Sequence, residues 1–430
     1  MVGGFFMAEK TDLLLRKAII YSVFVRNHTQ EGTFRALERD LPRLRELGAD
    51  ILWLMPIHPI GEEHRKGTLG SPYAIRDYRA VNPEYGTLED FRHLVDAIHA
   101  QGMKCIIDVV YNHTSPDSVL ARDHPSFFFR DAAGKPTHKV ADWWDIADLD
   151  YTAAPLWDYQ IDTLKMWAEI VDGFRCDVAS SVPISFWERA RQQVEAVHPG
   201  CIWLAESVHP DYVREMWEKG AYAATDCDLY RAFDITYDYD IWPCFEGVFS
   251  GERTLGEYLR LMNLQETVYP GNHIKLRFLE NHDQVRFASR VRDNGAFGNW
   301  LAFLYFAKGT VLLYSGMEYA PRHQVALFDR DNAYQERRHD WQKYLKRLGE
   351  IKKELPVNGC FTVEETGENS VAARYAGPEG RAWGIFSLTG KSGSVKVKIP
   401  DGRYENRIDG SEITVRNGEI QSSGSPAIFW

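Results

Sequence analysis

Asp108, His113, Arg175, Asp177, Glu206, His282 and Asp283 fall in four short segments: residues 108–114 (DVVYNHT), 173–178 (GFRCDV), 202–207 (IWLAES) and 278–283 (FLENHD). Each segment pairs a short apolar run with charged or imidazole groups toward its C-terminal end. A buried parallel strand has this form when it delivers side chains to the mouth of a barrel. Carboxylates, a guanidinium and imidazoles converging at one mouth suit acid-assisted displacement at an acetal carbon.

Taken singly, each group has a bland alternative. Arg175 and Asp177 lie two apart on a predicted strand, so their side chains leave the same face. An arginine there is expected to depress the carboxylate pKa and keep it ionised, as a nucleophile requires. An ion pair that merely closes the barrel end is an equal reading of that pair alone. Glu206 follows an apolar run with no basic neighbour in sequence. Partial desolvation would raise its pKa and let it hold a proton for a leaving group. His282 and Asp283 are adjacent, so both reach one site only if their strand has already ended. The same holds for His113 beyond Asp108. A lone histidine of this kind is more often structural. The joint pattern of four loaded strand ends is what argues for one site.

The elements that must position these groups recur as strand–helix pairs. Strands are expected at 18–25, 50–56, 103–110, 173–178, 202–206, 230–236, 274–279 and 310–314. Amphipathic helical patterns cover 33–47, 88–101, 156–170, 184–197, 211–219, 255–265, 299–308 and 340–355, with Thr87 as an N-cap and Gly48 and Gly102 as stops. Eight pairs in order predict an α/β fold, a (β/α)8 TIM barrel over 1–355. Residues 114–149 carry no helical period and are read as a small insertion after the third strand, forming one wall of a cleft. Residues 356–430 alternate apolar and polar positions between turn residues and predict a C-terminal antiparallel β-sandwich domain.

The 430 residues, 44% hydrophobic and 13% aromatic, supply a large core. A net charge of −11 without a basic tract disfavours nucleic acid and anionic membranes and suits a neutral substrate. Cys105, Cys176, Cys201, Cys227, Cys244 and Cys360 form no CxxC or zinc spacing and read as free thiols, the first three in or beside core strands. The first residues, MVGGFFMAEKTD, lack a leading cation and a full apolar signal core. A cytoplasmic location is therefore expected, or a secreted one if a leader has been trimmed away.

The four segments match, in order, the four motifs of glycoside hydrolase family 13, the α-amylase family, which the chain resembles over nearly its whole length. The resemblance implies that Asp177 is the nucleophile and Glu206 the general acid and then base. It implies that Asp283 grips the 2- and 3-hydroxyls of the cleaved sugar, that Arg175 orients Asp177, and that His113 and His282 bind hydroxyls. Asp108 would support this architecture. Tyr73, in SPYAIRDY, matches the tyrosine that stacks under the cleaved sugar, and 148–150 (DLD) resembles the family's fifth motif. Asn112 and Asp148 are the candidate ligands for a structural Ca²⁺, and the chemistry itself needs no cofactor. The chain departs from the family at 178–182 (VASSV), where many amylases carry Lys-His to contact the leaving-group side. Trp143 and Trp144, in the insertion, are candidate sugar platforms, whereas Trp157 opens a helical pattern and reads as core.

The expected activity is retaining hydrolysis of α-1,4 bonds in starch-like glucans or maltodextrins. An α-glucan transglycosylase shares the chemistry up to the covalent intermediate. A catalytically inactive carbohydrate-binding homologue is the third reading, disfavoured because all three carboxylates are present.

Overall fold

In the computed structural model, residues 10–140, 142–367 and 369–430 are described. The N-terminal apolar patch read for a leader lies outside them. No helix among the described residues is long and apolar enough to cross a membrane.

Eight parallel strands close into a barrel: β1 (Ile19–Val23), β2 (Ile51–Leu54), β3 (Lys104–Val109), β4 (Gly173–Cys176), β5 (Ile202–Ala205), β6 (Ile235–Tyr237), β7 (Lys275–Arg277) and β8 (Thr310–Tyr314). Each strand pairs with its neighbour in sequence, and β8 closes onto β1. Every residue of β1 and β8 is buried, which is why these strands read as continuous apolar runs: barrel interior on one face, helices on the other. Helix Leu88–Ala100 begins with a reciprocal capping box between Thr87 and Asp90.

Several elements differ from the sequence expectation for local reasons. The pattern at 33–47 splits into Phe34–Glu38 and Leu41–Leu47, with Pro42 in the first turn of the second helix, where its missing N–H costs nothing. The sixth strand is Ile235–Tyr237 alone, because a capping box of Thr225 and Asp228 turns Asp226–Leu229 into helix. A further helix, Trp242–Ser250, follows it. The segment after β3 is not wholly irregular: it holds the short helix Val119–Asp123 and is stitched at its base by a two-stranded pair, His113–Thr114 with Ala147–Asp148.

Beyond the barrel two four-stranded antiparallel sheets face each other. One contains Cys360–Glu365, Ser370–Gly377, Gly380–Ser387 and Ala427–Phe429; the other contains Gly393–Lys396, Gly402–Glu405, Glu412–Arg416 and Glu419–Ser422. Helix Asn294–Phe306 lies between barrel and sandwich and has apolar residues all round, with eleven of its thirteen residues buried. Its outer side meets the first sheet through Phe303 against Phe386, and Phe306 against Tyr375. Without the sandwich that side would face water.

Candidate active site

The register of the barrel assembles the site. Asp108 on β3 pairs directly with Arg175 on β4, and Asp177 and Glu206 extend the ladder past the strand ends through their N–H groups to the carbonyls of Val109 (2.8 Å) and Cys176 (2.9 Å). Arg175 is the hub. Its Nη1 donates to Asp108 Oδ1 (2.9 Å) and Asp177 Oδ1 (2.8 Å), and its Nε to the Tyr237 hydroxyl (3.1 Å). Its Nη2 lies 3.0 Å from Glu206 Oε1, an ion-pair distance without hydrogen-bond geometry. The guanidinium packs over the rings of Trp53, Tyr73 and Tyr237. Three carboxylates thus share one buried guanidinium.

That excess of negative charge corrects the expectation for Asp177. Burial raises its pKa from 3.8 to about 6; Arg175 opposes this, but Asp108 adds to it. Burial raises Glu206 from 4.5 to about 7, against Arg175 and with help from Asp177 and Asp283. Both carboxyls are thus raised toward neutral pH, where a raised carboxyl can hold a proton for a leaving group. Asp283 stands at the mouth with its side chain 46% exposed. Burial of its surroundings pushes it up, but His282, with Nε2 3.1 Å from its Oδ2, brings it below the usual range. His282 is raised in turn: burial lowers it, and Asp283 more than compensates. His113 is lowered by burial and lies 4.0 Å from Asp177 Oδ2.

Two backbone devices aim these groups. β7 ends at Arg277, and the Asn281 side chain then accepts the N–H groups of Asp283 (2.9 Å) and Gln284 (3.1 Å). This turn releases His282 and Asp283 from strand alternation, so both reach the same site. Val178 adopts a left-handed conformation, φ 41° and ψ 43°, which is costly for a β-branched residue. That turn directs its N–H onto Glu206 Oε2 (2.8 Å).

Asp177, Glu206 and Asp283 open onto one cavity of about 280 Å³, lined also by Tyr73, His113, Trp143, His282, Lys66, Leu327 and Phe328. Asp108 is fully buried beneath it, accepting from Trp53 Nε1 (3.2 Å) and the Tyr73 hydroxyl (3.1 Å). The Tyr73 ring stacks on His282 at 5.4 Å. Trp143 packs against His113 at 5.5 Å, Trp144 is exposed and covers Lys66, and Trp157 packs on the core with its indole N–H on the Tyr151 carbonyl.

The two candidate calcium ligands lie below this cavity. Asp148 Oδ2 accepts the Lys139 N–H (2.9 Å), while its Oδ1 is buried without a partner. The Asn112 amide nitrogen is turned to His113 Nδ1 (3.1 Å). Ca²⁺ takes about six to eight oxygens. Among the described residues no group of three or more His, Cys, Asp or Glu gathers around a metal position, and of the two candidate donors Asp148 Oδ1 is the oxygen left without a protein partner.

Sequence reading missed Trp53, Tyr237, Val178, Lys66, Asp145 and Phe328. Trp53 and Tyr237 look like any apolar strand residue, and the others carry no periodic signal. Only the register and the loop contacts single them out.

A profile of the alpha amylase catalytic domain matches residues 19–146 and 138–352, and one of the bacterial alpha amylase C-terminal domain matches 362–429. The chain is similar to the crystal structure of an alpha-amylase from Lactobacillus plantarum: 44% identity, TM-score 0.94, 97% of this chain and 99% of that one. It is also similar to a noncanonic maltogenic alpha-amylase, AmyB, from Thermotoga neapolitana: 33% identity, TM-score 0.86, 96% and 98% covered. Among curated proteins, an alpha-1,4-glucan:maltose-1-phosphate maltosyltransferase from Pseudomonas aeruginosa is 35% identical over 281 residues, 58% of this chain. The match covers only 39% of that relative's length.

Proposed function

The chain belongs to the α-amylase family, and on that footing we propose that it is a retaining glycoside hydrolase acting on α-1,4 bonds of starch-like glucans or maltodextrins. The carrying observation is the pair of carboxylates on one guanidinium, with Glu206 pushed up to about 7 and Asp177 to about 6.

Asp177 attacks the anomeric carbon while Glu206 gives its proton to the departing glycosidic oxygen, leaving a glycosyl ester on Asp177. Glu206, now ionised, takes a proton from water, and the resulting hydroxide displaces Asp177 with net retention. This needs the two carboxyl groups roughly 5–5.5 Å apart. Sharing one guanidinium supports that spacing, since Nη1 and Nη2 cannot reach widely separated carboxylates. Arg175 orients both. Asp283 and the two histidines hold the ring hydroxyls, and Tyr73 lines the floor. Side chains supply every step, and no metal is required.

Transfer to a sugar acceptor is the second reading, supported by the name of the maltosyltransferase relative. It uses the same ester and differs only in what displaces Asp177. A time course on soluble starch and maltotriose, resolving product length and anomer with and without EDTA, decides. Shorter α-anomeric products are expected, unchanged by the chelator; products longer than maltotriose would establish transfer, and β-anomers would refute the double displacement.

A further inference from the structure

A strap contributes to the wall of the cavity that holds the carboxylates, through Lys66 and its partner Phe328. Residues 64–70, in the long connection after β2, run from the insertion wall to the segment after β8. Lys66 makes the first anchorage: it pairs with Asp145 (2.9 Å), donates to the Asp142 carbonyl (3.0 Å), and lies over the Trp144 ring (4.5 Å) and the Phe328 ring (5.8 Å). Asp145 is buried, and Lys66 keeps only 18% of its side chain exposed. The second anchorage is backbone: the Leu69 N–H reaches the Phe328 carbonyl (2.9 Å), and both Thr68 N–H and hydroxyl donate to Asp329 Oδ1 (2.8 and 2.6 Å). Between them Gly67, at φ +61°, lies so close to Phe328 that a Cβ would stand 2.6 Å from the Phe328 Cβ. Any side chain there would force the strap and Phe328 apart.

The strap belongs to the His113 side of the site. His113 packs against Trp143 at 5.5 Å, and the residues flanking that indole, Asp142, Trp144 and Asp145, are the ones that hold Lys66. In the double displacement the leaving group departs past Glu206. The sugar attacked by Asp177 therefore has its own 4-hydroxyl side directed away from Glu206, toward the strap. A cavity of about 280 Å³ is at the bottom of the usual range for ligand sites and takes a short segment rather than a passing polymer.

We infer that the Lys66–Gly67 strap blocks the cleft beyond the cleaved sugar and makes the enzyme act from the non-reducing ends of α-glucans. Lys66 and Gly67 are thus specificity-determining residues; the inference rests on the α-glucan reading above. The test compares maltoheptaose with maltoheptaose whose terminal non-reducing 4- and 6-hydroxyls carry an ethylidene block. The wild-type chain is expected to cleave the free sugar at least about tenfold faster than the blocked one. Lys66→Ala and Gly67→Ala, verified as folded by circular dichroism, are expected each to raise the blocked-to-free ratio about tenfold. Equal wild-type rates on the two sugars would overturn the inference while leaving the α-glucan reading intact. A low wild-type blocked-to-free ratio left unchanged in both folded variants would overturn the assignment to the strap. Turnover of neither sugar would end the α-glucan reading and this inference with it.

Discussion

Two buried arginines in one barrel carry different charge arithmetic. Arg277, on β7, faces the helix Leu255–Val268: its Nη1 meets both oxygens of Asp238 at 2.8 Å and the Gln265 carbonyl oxygen at 2.8 Å, and its Nε donates to the Lys308 carbonyl (2.8 Å). One cation there meets one carboxylate, and amide groups complete the bonding. At the mouth, Arg175 meets Asp108, Asp177 and Glu206 together, and its Nη2 lacks a hydrogen bond. A one-to-one pair holds two elements in place. An unbalanced cluster opening on a cavity keeps a proton available near neutral pH. Burial is common to both, so what distinguishes the cluster at the mouth is its charge imbalance together with its opening onto the cavity.

The comparison breaks first at Asp177, the proposed nucleophile. Asp177→Asn should lower kcat on maltodextrin by about 10⁴-fold or more while the protein still folds and binds maltotriose, read by calorimetry and circular dichroism. An unfolded variant would place Asp177 with the structural pair instead. Glu206→Gln should cost about 10²- to 10⁴-fold in kcat and remove the alkaline limb of the pH profile. It should also stabilise the fold. Glu206 titrates at about 7 when folded against 4.5 as its ordinary value, so the native state binds the extra proton between those values. Stability therefore falls as pH rises through that window, and above it the glutamine variant should gain about 3 kcal/mol. Thermal melts at pH 5 and pH 8 read that difference, which should be seen only at the higher pH.

The outer pair should behave oppositely. Arg277→Met strands a buried carboxylate and should cost about 3–5 kcal/mol in denaturant melts, with the pH profile of any remaining activity unmoved. The finest test is Asp108→Asn. Asp108 raises Asp177 and touches no substrate-facing cavity, so its removal should move the acid limb of kcat/KM, near pH 6 in the wild type, to lower pH. An unmoved limb would mean that burial alone sets the Asp177 pKa.

The barrel was legible because apolar runs buried on both faces alternate with capped amphipathic helices, and the site because its groups fall just past four such runs. Boundaries were less so. Tyr230–Phe233 has strand-like aromatics, but the Thr225–Asp228 capping box commits the preceding residues to helix, a local hydrogen-bond contest that hydrophobicity does not register. The sign of the Asp177 shift was also beyond the sequence. An arginine two residues away argues for a low pKa, and burial, with Asp108 brought beside the same guanidinium by the register, reverses it.

The sequence by itself determined the closed parallel barrel, the antiparallel C-terminal sheets and the family, because periodicity, turn residues and strand-end motifs are local and additive. The tertiary structure alone decided the charge imbalance around Arg175, the left-handed Val178 that aims at Glu206, and the strap from Lys66 to Phe328. Each depends on groups separated by tens to hundreds of residues. Their electrostatics and packing act through space, and no local pattern encodes a distance that the fold has yet to set.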